Sequence, residues 1–158
     1  MDSVRASFAM GADAILLCRT RARLCALPLV HVVETMRPLA IEPFGGAPEF
    51  VLGLSRIRGA HVPVIDLGRL LGLPGEKRPA RFVVLRVDGR SVAVRVEAVI
   101  GVSTLSAERA LALPPLLNDA ADGPVAALAA RDAELLVVLK AASLLPSEDG
   151  MTGAKGEA

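Results

Sequence analysis

With 158 residues, 53% of them hydrophobic, the chain is long enough for one domain, or for two small lobes that share a core. Eighteen basic against seventeen acidic residues leave a net charge of +1, which excludes the strong basic field of a nucleic-acid or anionic-membrane binder. Tyr and Trp are absent and only four Phe occur, so base stacking is poorly provided for and the core must be aliphatic.

Fifteen of the eighteen cations are arginine, a bias toward forked pairing with carboxylates. No apolar run approaches the roughly 18 residues that span a bilayer, so no direct membrane insertion is expected. The opening Met-Asp-Ser-Val-Arg lacks the basic-then-apolar order of a secretory signal. The expected compartment is therefore the cytoplasm.

Residues 1–13 read as a loose lead-in. Two apolar runs, 14–19 and 23–29, flank Thr20-Arg21-Ala22 and predict a hairpin. A turn centred between Arg21 and Ala22 sets Cys18 opposite Cys25. Two small buried apolar side chains are the plain reading of that pair; a disulfide or redox switch is the alternative. Val32, Val33 and Met36 continue the apolar pattern, and the Pro- and Gly-rich stretch 38–48 is a bent connection.

Phe50-Val51-Leu52 reads as a strand leading into a Gly-bounded loop, Gly53 to Gly59, that carries Arg56 and Arg58. Val62, Val64 and Ile65 form the next strand. Pro63 lacks an amide hydrogen, which makes that strand an edge or locally irregular. Asp66 is placed to cap a helical turn through Leu67, Leu70 and Leu71, and Gly72 ends it. Two cations on a stiff loop beside an unpaired edge suggest a surface that meets another protein.

The polar link 73–81 is the best internal boundary. Beyond it, 82–87 and 90–96 form a second hairpin around Asp88-Gly89, a strong two-residue turn signal. Val99, Ile100 and Val102 follow. Residues 103–124 are less regular, with a possible helical turn at Ser106–Arg109 and a break at Pro114-Pro115. Strands are expected at 125–128 and 135–139, then a helical turn at 141–145. The tail 147–158 has no apolar pattern and is expected to be disordered.

The halves repeat. A shift of 67 lays Cys18 on Leu85, Cys25 on Val92 and Val32 on Val99, and a shift of 74 lays Val64-Ile65 on Val138-Leu139. The expected architecture is mainly β: two pseudo-repeated five-stranded SH3-like barrels with short helical turns. Lobe one would cover about 14–72 and lobe two about 82–146. Asp66 falls on Lys140, so the copies differ in charge.

Gly53, Arg58, Gly59, Pro63-Val64, Asp66-Leu67 and Leu71-Gly72 resemble the Gly-x-x-Asn-Leu-Arg-Gly…Pro-Val-x-Asp-Leu…Leu-Gly pattern of the CheW-like domain. Ala26-Leu27-Pro28 with Val32-x-Glu34 resembles that family's upstream segment, and Val92–Val99 and Leu136–Leu145 its later ones. Arg56 stands where the family has Asn, Glu97 where it has Asp, and Lys140 replaces a frequent Asp.

The resemblance implies a non-catalytic scaffold coupling a chemoreceptor tip to the regulatory domain of a CheA-type histidine kinase, at the inner face of the membrane through receptors. It implies possible self-association in arrays and no cofactor. It also implies partner contacts at Arg58, Glu34, Val32, Gly53, Arg56 and Val99, with Arg58 and Glu34 approaching each other near the interlobe surface. A divergent adaptor that binds receptors but not the kinase is the first alternative.

Catalysis finds little support. Val64-Ile65-Asp66-Leu67-Gly68 superficially resembles an aspartic-protease loop, but that chemistry needs two facing carboxylates, and Lys140 stands at the matching place. A duplicated β-barrel hydrolase is thus disfavoured. His31 and His61 have no ligand spacing with Cys or with each other, which leaves them satisfied or solvent-facing.

Overall fold

The computed structural model describes residues 14–43, 45–73, 80–104, 110–111, 123–131 and 134–147. The lead-in, the Ser106–Arg109 turn, Pro114-Pro115 and all of the tail beyond Ser147 lie outside the described residues. Among the described residues eleven strands run as β1 Ala14–Thr20, β2 Arg23–Pro28, β3 Val32–Met36, β4 Val51–Ile57, β5 Ala60–Asp66, β6 Arg81–Val87, β7 Arg90–Val96, β8 Ala98–Thr104, β9 Ala110–Leu111, β10 Val125–Arg131 and β11 Glu134–Leu139. A short helix, α1, spans Leu67–Leu70, and 3-10 turns span Leu29–His31 and Ala141–Leu144.

Two sheets form, in the orders β8-β1-β2-β11-β10-β9 and β3-β6-β7-β5-β4. The mainly-β, SH3-like duplicated fold is therefore observed. The sheets, however, do not divide at the 73–81 link. The hairpin β1–β2, first in the chain, pairs with strands of the second half, while β6–β7 pairs with strands of the first. The exchange is reciprocal.

The connectors supply the reason. A tight hairpin needs two residues at its turn, and Arg21-Ala22, Arg58-Gly59 and Asp88-Gly89 provide them, each with positive φ at both positions. Between β7 and β8 stands Glu97 alone, so the strand cannot double back and passes into the other sheet. Its amide donates to the Arg19 carbonyl at 2.9 Å, which pins the crossing to β1. The 3-10 turn at Leu29–His31 makes the matching crossing from β2 to β3.

Register confirms the duplication in detail. Cys18 opposes Cys25 as Leu85 opposes Val92. Val99 opposes Cys18 as Val32 opposes Leu85. The parallel pairs Val138–Ala26 and Val64–Ala93 are likewise equivalent. Even the bulges match: Val33 and Ile100 stand unpaired at one matched place, Leu52 and Ala126 at another.

Three apolar layers follow from this pairing. Leu16, Cys18, Cys25, Leu27, Leu85 and Val94 belong to a cluster shared by both sheets. The alternate residues Ile15, Leu17, Leu24 and Ala26 fill one lobe with Leu136 and Val138. Phe82, Val84 and Ala93 fill the other with Ile57 and Val64. Strands β1, β2, β6 and β7 are thus buried on both faces, which is why they read as continuous apolar runs rather than alternating ones. Each such Val, Leu or Phe contributes about 1.5–3 kcal/mol on burial, so stability resides in these layers. Both cysteines are free and buried, and burial pushes the thiols up to about 12 for Cys18 and about 11 for Cys25.

Two local expectations change. Residues 53–57 are not loop: β4 runs to Ile57, with Gly53, Ser55 and Ile57 inward and Arg56 outward. The inward Ser55 hydroxyl donates to the Ala40 carbonyl at 2.8 Å, so a polar residue in a core position is satisfied and the alternation was hidden in the sequence. Strand β5 is not an edge, since it lies between β7 and β4. Pro63 pairs only with Leu54 of β4, and the ladder to β7 begins at Val64. Its missing amide therefore breaks no bond. Asp66 caps α1 as expected, accepting from the Arg69 amide at 3.0 Å.

Candidate partner-binding site

The turn joining β4 to β5 consists of Arg58, at φ +50°, and Gly59, at φ +80°. The residue types that such a turn favours are Asn-Gly or Asp-Gly, and the equivalent turn of β6–β7 is Asp88-Gly89. An arginine at the first position holds a left-handed backbone that costs about 1–2 kcal/mol. At this turn the side chain also has work within the fold.

That work is visible in the contacts. Arg58 Nε donates to Glu34 Oε2 at 2.7 Å and its terminal nitrogen to Oε1 at 2.9 Å, a forked pair between the turn and β3. The side chain of Arg58 is 77% exposed and that of Glu34 21%, so the fork presents a guanidinium face to solvent above a mostly covered carboxylate. Hydrogen bonding to Arg58 holds the Glu34 carboxyl below the ordinary carboxylate range, and the same bond raises Arg58. Arg21 shares the left-handed backbone but makes no such fork among the described residues.

The pair also links the two sides of its sheet. Strands β3 and β4 are its two edges, and the contact between Glu34 and the β4–β5 turn requires the sheet to curl until those edges approach. The other sheet has a comparable contact: Arg131 at the end of β10, next to the edge strand β9, donates to the Ser103 hydroxyl of β8 at 3.1 Å. A second fork, Arg19 to Glu134 at 2.8 and 3.1 Å, ties β1 to β11; it holds the Glu134 carboxyl low.

Val32 and Val99 occupy equivalent positions on β3 and β8, and both lean, half-buried, on the shared cluster. The residues after them had no assigned role in the sequence reading. Val33 and Ile100 sit at the matched bulges and are 56% and 52% exposed; Val102 and Val30 add further apolar surface. A bulge re-aims side chains, and no apolar pattern reveals which residue of a Val-Val or Val-Ile pair will be the one turned out.

Gly53 has a backbone explanation. It lies at φ +145°, and a Cβ there would meet the Glu42 carbonyl carbon at 2.7 Å and the Pro43 Cα at 2.8 Å. The close approach exists because residues 40–43 run beside β4, with Glu42 and Leu54 exchanging backbone hydrogen bonds at 2.7 and 2.9 Å. Arg56 is exposed on the outward face of β4, directly opposite the exposed His61 of β5. The structure thus brings Arg58 and Glu34 into contact, sets Arg56 on the adjoining face, places Val32 and Val99 against one shared layer, and leaves Gly53 under the β4 edge.

No group of three or more His, Cys, Asp or Glu that could hold a metal is present among the described residues. No helix among them is long and apolar enough to cross a membrane.

Comparison with known proteins shows the family. The family model described as the CheW-like domain matches residues 14–149. The chemotaxis protein CheW of Rhizobium meliloti is 28% identical over 109 residues, 68% of this chain and 70% of that protein. Protein FrzA of Myxococcus xanthus is 35% identical over 98 residues, 60% of each chain. The crystal structure of the scaffolding protein TtCheW from Thermoanaerobacter tengcongensis superposes with a TM-score of 0.71 at 24% identity, covering 81% of this chain and 88% of that one, a likeness of fold. The chain belongs to the CheW-like family and is a non-catalytic adaptor of chemotaxis signalling.

Proposed function

We propose that this protein couples a helical chemoreceptor tip to the regulatory domain of a CheA-type histidine kinase, and so is held at the inner face of the membrane by its receptors. The observation that carries the reading is the Arg58–Glu34 fork, an exposed guanidinium oriented by a carboxylate on a strained turn. Beside it in the chain, Val32 and Val33 on β3, with Val99 and Ile100 at the equivalent place on β8, offer apolar anchors. An amphipathic helix recognised through an apolar stripe with a flanking polar contact is the kind of partner such a surface takes.

The test uses Arg58→Asn, which suits the left-handed turn and should leave the fold intact. Calorimetry with a recombinant receptor-tip hairpin from the source organism should then show roughly a thirtyfold weaker complex, the scale of an interface arginine hot spot. Arg58→Lys should restore binding only in part, because an ammonium cannot reproduce the fork. Unchanged affinity in a folded Arg58→Asn protein would remove the turn from the interface. Pull-down of the kinase regulatory domain separates this reading from an adaptor that binds receptors alone, the alternative that Arg56 in place of the family's Asn keeps open.

A further inference from the structure

Among the described residues Arg58 has its countercharge, and Arg56 does not. Arg56 and His61 face each other directly across β4 and β5, both exposed. A guanidinium opposite an imidazole is a pairing that a sheet gains nothing from, and one that repels whenever the imidazole is protonated. Glu42, on the segment beside β4, is bridged to Leu54 through its backbone. Among the described residues Arg56 forms no ion pair with it or with any other carboxylate.

The outward face of this hairpin therefore carries a fork of donors and an imidazole N–H side by side, two residues along β4 from the Arg58 turn. That arrangement suits one carboxylate, which can accept two parallel bonds from Arg56 and a third from the ring.

We infer that Arg56 and His61 together form a carboxylate-binding step beside the Arg58–Glu34 fork, and that the receptor tip docking on this protein presents an Asp or Glu side chain to it. The inference rests on the receptor-coupling reading above and adds the chemistry of the partner. It also gives the Arg-for-Asn difference a consequence: this adaptor selects acidic tips.

The experiment is calorimetry of the full chain with the recombinant receptor-tip hairpin, at low and at physiological salt. Arg56→Gln should weaken binding about tenfold at low salt, Arg56→Glu more, and His61→Ala less, with the wild-type affinity falling steeply as salt rises. Changing the matching tip carboxylate to its amide should abolish the effect of Arg56→Gln, giving a non-additive cycle. A tip bound by Arg56→Glu as tightly as by the wild type overturns the inference and leaves the receptor reading standing. A wild-type protein that binds no tip overturns both. Loss of the kinase regulatory domain on Arg56→Glu, with tip binding intact, reassigns the step to the kinase and overturns the inference as stated.

Discussion

The hairpins β1–β2 and β6–β7 occupy equivalent places in the two halves, yet they end differently. Asp88-Gly89 supplies the residues that its turn requires, whereas Arg21-Ala22 holds φ +48° and +68° with two side chains in the way. The same contrast runs through the rest of the duplication. Gly53 lies where the second half has Ala127, Glu34 where it has Gly101, and the Asp66 cap where it has Lys140, which caps nothing with its side chain. The halves share a scaffold because their apolar alternation is the same. In the first half the turn after β4 adds the Arg58–Glu34 fork to that scaffold, and Gly53 takes a positive φ that its counterpart Ala127 does not.

The largest expected effect is at Gly53. Gly53→Ala drives a Cβ into the Glu42 carbonyl from a backbone region nearly closed to side chains, at a cost of about 3 kcal/mol or more. The reverse change at its counterpart, Ala127→Gly, should cost only about 0.5–1 kcal/mol. Urea titration of both variants measures the difference. Equal effects would mean that residues 40–43 do not press on β4.

A smaller shift of opposite sign is expected at the first hairpin. Ala22→Gly relieves a left-handed alanine and should stabilise the protein by about 1 kcal/mol, raising the melting temperature by roughly 3 °C for a chain of this size. Gly at this place makes the turn match its partner at Gly89. An unchanged or lower melting temperature would show the strain to be offset elsewhere.

The smallest effect is electrostatic. Because the Arg58 fork holds Glu34 below the ordinary carboxylate range, the pair's contribution is complete at neutral pH and is lost as pH falls through the lowered Glu34 value. An NMR titration of side-chain carboxyls should place Glu34 below the ordinary carboxylate range, and Arg58→Asn should return it there. If Glu34 titrates in that range in the wild type, the fork does not persist in solution.

Much of this was legible in the sequence. The two hairpins, the opposition of Cys18 and Cys25, the Asp66 cap and the repeat itself follow from local pattern, since turn chemistry and period-2 apolarity act over a few residues. The strand nature of 53–57 was not legible, because Ser55 and Arg56 interrupt the pattern and only the Ala40 carbonyl satisfies the serine. The Arg58–Glu34 contact reached the sequence reading only through resemblance to a family. The outward turn of Val33 and Ile100 escaped it entirely.

Local chemistry thus determined the pairing of β1 with β2 and of β6 with β7, and most of the side chains that are core. It could not determine which hairpin completes which sheet. The two copies carry the same alternation, so either hairpin satisfies either half, and the choice falls to connectors such as Glu97, too short to turn a strand back and hydrogen-bonded to Arg19 across the junction. That crossing buries β1, β2, β6 and β7 on both faces and sets Val32 and Val99 against one common layer. Val32 and Val99 come from different halves, and only the tertiary structure brings them together.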